Sequence, residues 1–423
     1  MVIVLILAIL VIFYMAIIKK NFTHPVIYFL GIFCLPLLFS IVDLYKSMIK
    51  VSSITVWVLF LGLLGFVIGT LPKIKLNIGS RTSKVHNNEC LKYRKEIVYG
   101  AVTISLIFNV FMTMTTLQFL ARGYAYSSIR DLMFGYSGVD EAFFKSSFLS
   151  TFNSWVSVPC IYLVASLTVL DIFEKYFSWF LRIVMIIDIA MYIFASGGRI
   201  IVLTILIQGF FLMQYYKVSI PKKMKKKIIK IGIVLIVMLV VITMHRAKTS
   251  EFLTQKVNTV YAYFNIPLPI LSNWIENTQN SGIYGLGYGF LNGFMELISF
   301  ILGKVGIVVQ SYQRVSEQLS LPQTKWIQIY NGHWYNAFCT LFYYFYVDFR
   351  LPGVFIESLL FGMYVKRYYR KVCIQKDRSY LPVYLTILQV IAMAFIRWQF
   401  GTLSHIITMI LAVFCAKRGG KYE

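Results

Sequence analysis

A chain of 423 residues that is 58% hydrophobic and only 14% charged departs from soluble domains, which carry roughly 25% charged residues. Its mean hydropathy of +0.71 excludes disorder, while 41 Lys and Arg against 17 Asp and Glu leave a net charge of +24. The basic residues fall between apolar runs of membrane-spanning length, so the chain reads as a polytopic membrane protein and not as a nucleic-acid binder.

The amino end is apolar from Met1 to Ile18 and then meets Lys19-Lys20. It has no basic leader and no small-residue cleavage site, so a retained first span is expected. Further spans are expected near Val26–Ile41, Ile54–Leu71, Ile97–Phe119, Phe148–Leu170 and Phe177–Ala195. A second group follows near Ile200–Tyr216, Ile228–Met244, Leu351–Val365, Leu381–Ile396 and Ile406–Ala416. Tyr335–Val347 is apolar and aromatic but short for a crossing. The expected fold is all-α, a single polytopic membrane domain over 1–423 with about 11 or 12 transmembrane helices. The six cysteines are scattered with no CxxC, which argues against a disulfide framework or a zinc site.

Lys and Arg in short loops mark the cytoplasmic side. The segment after the third run holds Lys73, Lys75, Arg81, Lys84, Lys92, Arg94 and Lys95; later come PKKMKKKIIK, KRYYRK and the tail KRGGKYE. Placing all four inside puts the carboxyl terminus in the cytoplasm and the amino terminus outside. Two outer segments result: a loop over 120–147 and a large, partly helical one over 246–335. Parity is then a problem, because a full crossing by Tyr335–Val347 would carry KRYYRK outside. Either a piece between Gly285 and Val309 also crosses, or Tyr335–Val347 is a half-helix. The stretch LNGFMELISFILGKVGIVV has apolar residues at helical spacing, which suits a helix lying on the membrane surface or a lid over a lipid-borne substrate.

Ionisable residues inside apolar runs are costly and hence informative. Arg182 and Asp188 are expected to pair with neighbouring helices, and Glu357 and Arg397 to reach the interface by snorkelling. No phosphate-binding G-x4-GK[ST], no D-x-D, no HExxH and no GxSxG occurs, which removes ATP-motor, nucleotide-sugar, metalloprotease and hydrolase-elbow readings.

Three segments resemble the Wzy-type oligosaccharide repeat-unit polymerases. These are ARGYAYSSIRDL (Ala121–Leu132), SGGRIIVLTIL (Ser196–Leu206) and NAFCTLFYYFYVDFRLPGVFIESLLFGMYVKRYY (Asn336–Tyr369). The family's glycine-arginine pair is matched by Gly198-Arg199. Its N-x-x-x-T and D-F-G-x-x-G patterns are matched by Asn336, Thr340, Asp348, Phe349 and Gly353, with Arg350 in place of the first glycine. The resemblance implies a glycosyltransferase of the bacterial cytoplasmic (inner) membrane. It would transfer a growing glycan from one polyprenyl diphosphate to a sugar hydroxyl on another, without cofactor or metal. Under this reading Arg122, Arg130 and Arg199 bind the departing diphosphate. His333 is the first candidate base, with Asp348 and Glu276 behind it. Asn336, Trp334 and Tyr288 would contact the saccharide. Membrane lipid, and possible chain-length-regulator and flippase proteins of the same route, would be the other partners. Two alternatives stay open: a lipid-linked oligosaccharide flippase or other secondary transporter, and a glycan ligase.

Overall fold

A computed structural model describes residues 1–44, 46–71, 93–133, 142–216, 261–330 and 333–416, with isolated positions between 217 and 260. The helices in chain order are α1 (Val2–Phe13), α2 (Pro25–Val42), α3 (Ser53–Thr70), α4 (Lys95–Ala121), α5 (Tyr126–Met133), α6 (Ser147–Phe152), α7 (Val158–Glu174), α8 (Trp179–Ser196) and α9 (Arg199–Tyr215). Beyond residue 260 follow α10 (Pro267–Ser281), α11 (Asn292–Lys304) and α12 (Gln310–Thr324). A hairpin of β1 (Ile327–Tyr330) and β2 (His333–Tyr335) comes next, then α13 (Thr340–Tyr369), α14 (Leu381–Met393) and α15 (Leu403–Cys415). This antiparallel hairpin is the sole sheet among the described residues.

The protein is an all-α membrane protein. Among the described residues, five helices are long and apolar enough to cross a bilayer: α2, α3, α4, the continuous run Ser147–Glu174, and α8. The apolar helices Val2–Ile18, Ile200–Tyr215 and Leu403–Cys415 are shorter. All eight coincide with spans expected from the sequence; the one expected over Ile228–Met244 lies outside the described residues. Leu351–Val365 differs from expectation in being continuous with Tyr335–Val347, whose residues from Thr340 form the half-helix, one of the two alternatives expected there. From Thr340 onward they form one 30-residue element, α13, interrupted at Phe349 (φ −139, ψ 26) and Arg350 (φ 59, ψ −141). Pro352 sits just past the interruption, at a first turn where its missing N–H costs nothing.

Two compact units divide the described chain, one from within Met1–Lys92 and Ala262–Ile406, the other from within Tyr93–Tyr261 and Ile407–Lys417. In the first, α3 and α13 run in the same direction at backbone contact distance. A Cβ at Gly65 would lie 2.5 Å from Phe355 O, and one at Gly362 would lie 2.5 Å from Phe66 O. Gly69 faces Leu359 and Gly362, and beyond the helix end Lys366 Nζ donates to Leu71 O. Gly65-x3-Gly69 on one helix meets Ser358-x3-Gly362 on the other, the small-residue spacing that lets membrane helices approach closely. Phe29, Phe33, Phe66, Phe342 and Phe361 fill the space alongside; Phe29 and Phe66 stack at 3.8 Å.

In the second unit, α4 is clamped to α8 by Asp188, whose carboxylate accepts from Ser105 Oγ (2.5 Å) and Asn109 Nδ2 (2.6 Å). Arg182 pairs with Asp171 of α7 and donates to Phe177 O (2.7 Å). Both partners lie on neighbouring helices, as the sequence reading expects.

A methyl group at Gly65 has no room, so Gly65→Ala should cost about 1–3 kcal/mol. Gly31→Ala on α2, where nothing lies within 4 Å, should be neutral or stabilising. Thermal unfolding of the two variants in detergent checks the contrast. His24 caps α2 through Nδ1, which accepts from Val26 N (3.4 Å), and burial with the nearby Lys366 charge lowers its pKa from 6.5 to about 4. The unfolded chain takes up this proton near 6.5, so the stability contributed by neutral His24 is present above that value and lost as pH falls toward 4. His24→Asn, which keeps an acceptor but does not titrate, should flatten the decline of melting temperature between those limits.

Candidate functional site

The second unit carries the three arginines expected to meet a diphosphate. Helix α5 lies in the 120–147 loop and is amphipathic: Ile129 and Leu132 are buried in a cluster with Phe108, Met112, Phe119 and Ala195. Tyr126 OH also donates to Phe194 O. These contacts seat α5 on the last turns of α4 and α8. Arg130 lies on this helix, one residue after the buried Ile129. Arg122 closes α4 and lies 5.8 Å from the Phe119 ring.

The turn is built for a helix start. Gly197 adopts φ +57, a conformation favourable for glycine, and Ser196 Oγ accepts from Gly198 N (3.1 Å). Gly198 then serves as N-cap of the 17-residue α9 without a side chain to occupy the first-turn amides, and Arg199 is the first helical residue. A helix start offers backbone donors and a positive dipole end to an anion. The segments of Arg122 and Arg130 thus pack together with Phe194 and Ala195 of α8, and Arg199 follows Ala195 by four residues of sequence.

The first unit holds the expected carboxylate Asp348, fully buried at the end of the first half of α13. Its Oδ1 accepts from Gly289 N (2.7 Å) and its Oδ2 from Phe290 N (2.8 Å). The glycine-rich GIYGLGYGF segment makes this possible. A Cβ at Gly289 would lie 3.0 Å from both carboxylate oxygens and 2.5 Å from Tyr344 O, and one at Gly285 would collide with Oδ1. Glu357 is also buried and lies within hydrogen-bonding reach of Asp348. Its expected escape to the interface is corrected here: the side chain turns inward because α13 brings it back to the break. Nine residues of sequence separation hid this pair.

Arg350 occupies the break itself. Its Nη2 donates to Thr278 O (2.9 Å) and Ile283 O (2.8 Å), and its guanidinium carbon lies 4.4 Å from the Tyr284 ring centre and 5.5 Å from that of Tyr346. The guanidinium therefore fastens the C-terminal end of α10 to the interruption. A non-glycine residue at this φ/ψ costs of order 1–3 kcal/mol. The position where the family pattern carries glycine is thus one whose backbone favours glycine.

The remaining expected residues are more dispersed. His333 and Trp334 are exposed on β2, where His333 pairs in register with Tyr330. Glu276 is exposed on α10. No hydrogen bond among the described residues joins His333, Asp348 and Glu276 to one another. Asn336 Nδ2 donates to Gln323 O (2.9 Å). Tyr288 packs edge-on against Tyr312 (5.6 Å), its hydroxyl 3.2 Å from Ser311 Oγ. No group of His, Cys, Asp and Glu among the described residues could hold a metal ion.

Comparison with protein-family models, curated proteins and solved structures finds no match for this chain.

Asp348→Ala leaves two buried amides without an acceptor, an expected loss of about 1–3 kcal/mol; hydrogen exchange at Gly289 and Phe290 should accelerate relative to the parent. Arg350→Gly should be less destabilising than Arg350→Ala by about 1 kcal/mol, because only glycine relieves the backbone strain once the guanidinium is gone. Paired melting curves of those two variants report the difference.

Proposed function

We propose that the protein polymerises polyprenyl-diphosphate-linked oligosaccharide repeat units on the outer face of a bacterial cytoplasmic membrane. The observation that carries this reading is the packing of α5, which bears Arg130, against α4, which ends at Arg122, and against Phe194 and Ala195, a few residues before Gly198-Arg199. In the reaction, the hydroxyl of an acceptor sugar attacks the anomeric carbon of the donor glycan. The bond from that carbon to the phosphate oxygen breaks, and polyprenyl diphosphate departs. Its growing negative charge calls for fixed donors, and guanidinium groups with helix-start amides supply them without a metal. His333, exposed on β2, is the base proposed for the proton leaving the acceptor hydroxyl.

Topology supports the same reading. Helices α3 and α13 run in the same direction, and each leads into a basic stretch, Lys73 and Lys75 after one and Lys366, Arg367, Arg370 and Lys371 at the end of the other. Positive charge favours the cytoplasmic side for both ends. Counting α13 as a single crossing removes the parity conflict, gives about 11 crossings with the amino terminus outside, and leaves 120–147 and 246–335 on the outer face.

A second reading, a flippase for the same lipid-linked saccharide, draws on the break in α13 beside the buried Asp348 and Glu357, since interrupted helices line many transport sites. Profiling surface glycan on gels separates the possibilities. Arg199→Ala at normal protein level should leave single repeat units on the lipid carrier, and Arg199→Lys should fail likewise if the contact is bidentate. Long glycan chains in the Arg199→Ala strain would sink the polymerase assignment. Absence of any exported unit points to a flippase, and polymer stranded on its carrier points to a ligase.

A further inference from the structure

The connection between α14 and α15, residues 394–402, is helical only over the single turn Gln399–Gly401. It is nevertheless buried, with Phe395 and Trp398 at 0% and 2% exposure. Its backbone is satisfied from the segment that follows the glycine-rich loop: Asn292 Nδ2 donates to Gly401 O (2.7 Å), and Glu296 Oε2 accepts from Leu403 N (3.0 Å). Trp398 anchors it, packing 5.0–5.5 Å from Phe290, Phe345 and Phe361 and donating from Nε1 to Phe290 O (2.9 Å). Irregular backbone at such depth persists only when protein meets its polar groups.

Two side chains on this connection are not met. Gln399 is fully buried, and neither its amide nitrogen nor its amide oxygen has a hydrogen-bond partner among the described residues. Arg397 is half-buried with its Nε shielded and unpartnered, and no described side chain pairs with its guanidinium. The groups that feel its charge are Cys339, Tyr344 and His405, none of them a carboxylate. Trp398, the single residue between them, has an extended backbone (φ −78, ψ 108).

A fully buried carboxamide with both ends unpaired is costly, and beside it a half-buried guanidinium has a shielded Nε with no acceptor. The combination is complementary to an oxyanion whose oxygens accept from the guanidinium and from Gln399 Nε2, and whose neighbouring hydroxyl donates to Gln399 Oε1. We propose that Arg397 and Gln399 form a receptor for a phosphate or carboxylate group that carries a hydroxyl beside it. Identifying its occupant as part of a lipid-linked saccharide rests on the polymerase reading; the oxyanion site itself does not.

The test uses the 423-residue chain carrying Arg199→Ala, which weakens the other arginine site, and reads binding as the difference between Arg397 or Gln399 variants and this parent. It is placed in phosphatidylcholine nanodiscs and titrated with inorganic pyrophosphate or with sodium glucuronate, and a third arm substitutes phosphatidylglycerol for part of the lipid. A ligand that binds the folded state raises the melting temperature. At least one arm should show this rise, weakened about tenfold or more by Arg397→Gln and by Gln399→Leu, and partly restored by Arg397→Lys. Response to pyrophosphate assigns a phosphate group, response to glucuronate a sugar carboxylate, and response to phosphatidylglycerol alone a lipid headgroup. An equal rise in Arg397→Gln and its parent, or no rise in any arm, overturns the proposal. Should Arg397→Gln fail to fold, Gln399→Leu, which removes no charge, carries the same comparison. The glycan profile of Arg199→Ala judges the polymerase reading separately, so either conclusion can fail without the other.

Discussion

The first unit depends on one helix contact. α3 and α13 meet through Gly65, Gly69, Ser358 and Gly362, with a carbonyl of each helix where the other's Cβ would otherwise sit. In a bilayer, apolar side chains gain little by leaving lipid for protein, so close backbone packing must supply association. Small residues permit that approach, and the aromatic side chains Phe29, Phe33, Phe66, Phe342 and Phe361 then pack beside the seam. Without the seam, α13 would lose the surface that holds its two halves on either side of an interruption.

The interruption has its own internal logic. A break exposes backbone groups that lipid cannot satisfy, and Arg350 and Asp348 bracket it with opposite solutions. Arg350 donates outward to the carbonyls at the end of α10, while Asp348 accepts from the amides of Gly289 and Phe290. Both tie α13 to the segment 278–290. Phe290 in turn supports Trp398, and Trp398 supports the buried connection that carries Arg397 and Gln399. The second unit works differently: its polar contacts, Asp188 with Ser105 and Asn109 and Arg182 with Asp171, join one helix to another and leave the arginine end to the loop helix α5.

Much of the fold was legible because transmembrane helices announce themselves by length and hydropathy, which are local properties. The boundaries of α2, α3, α4 and α8 follow from apolar runs alone. The site was legible in part. Gly198-Arg199 stood out because two glycines before an arginine at the mouth of an apolar run are unusual, and ARGYAYSSIRDL because it places two arginines between two apolar runs. Arg350 was visible as a departure from a glycine pattern, although its role in fastening α10 was not.

Composition and charge distribution determined that the chain is a polytopic membrane protein, where most spans lie, and which stretches are basic, since each is a sum over neighbouring residues. Only the tertiary structure decided that Tyr335–Val347 and Leu351–Val365 contribute to one broken element, that Glu357 turns toward Asp348, and that Arg397 and Gln399 stand unpaired. These outcomes depend on contacts between residues tens or hundreds of positions apart, whose partners hydropathy does not specify. The charge of +24 divides accordingly. Most of it lies in stretches between apolar runs, while a few arginines, such as Arg182 and Arg350, have partners that packing places around them.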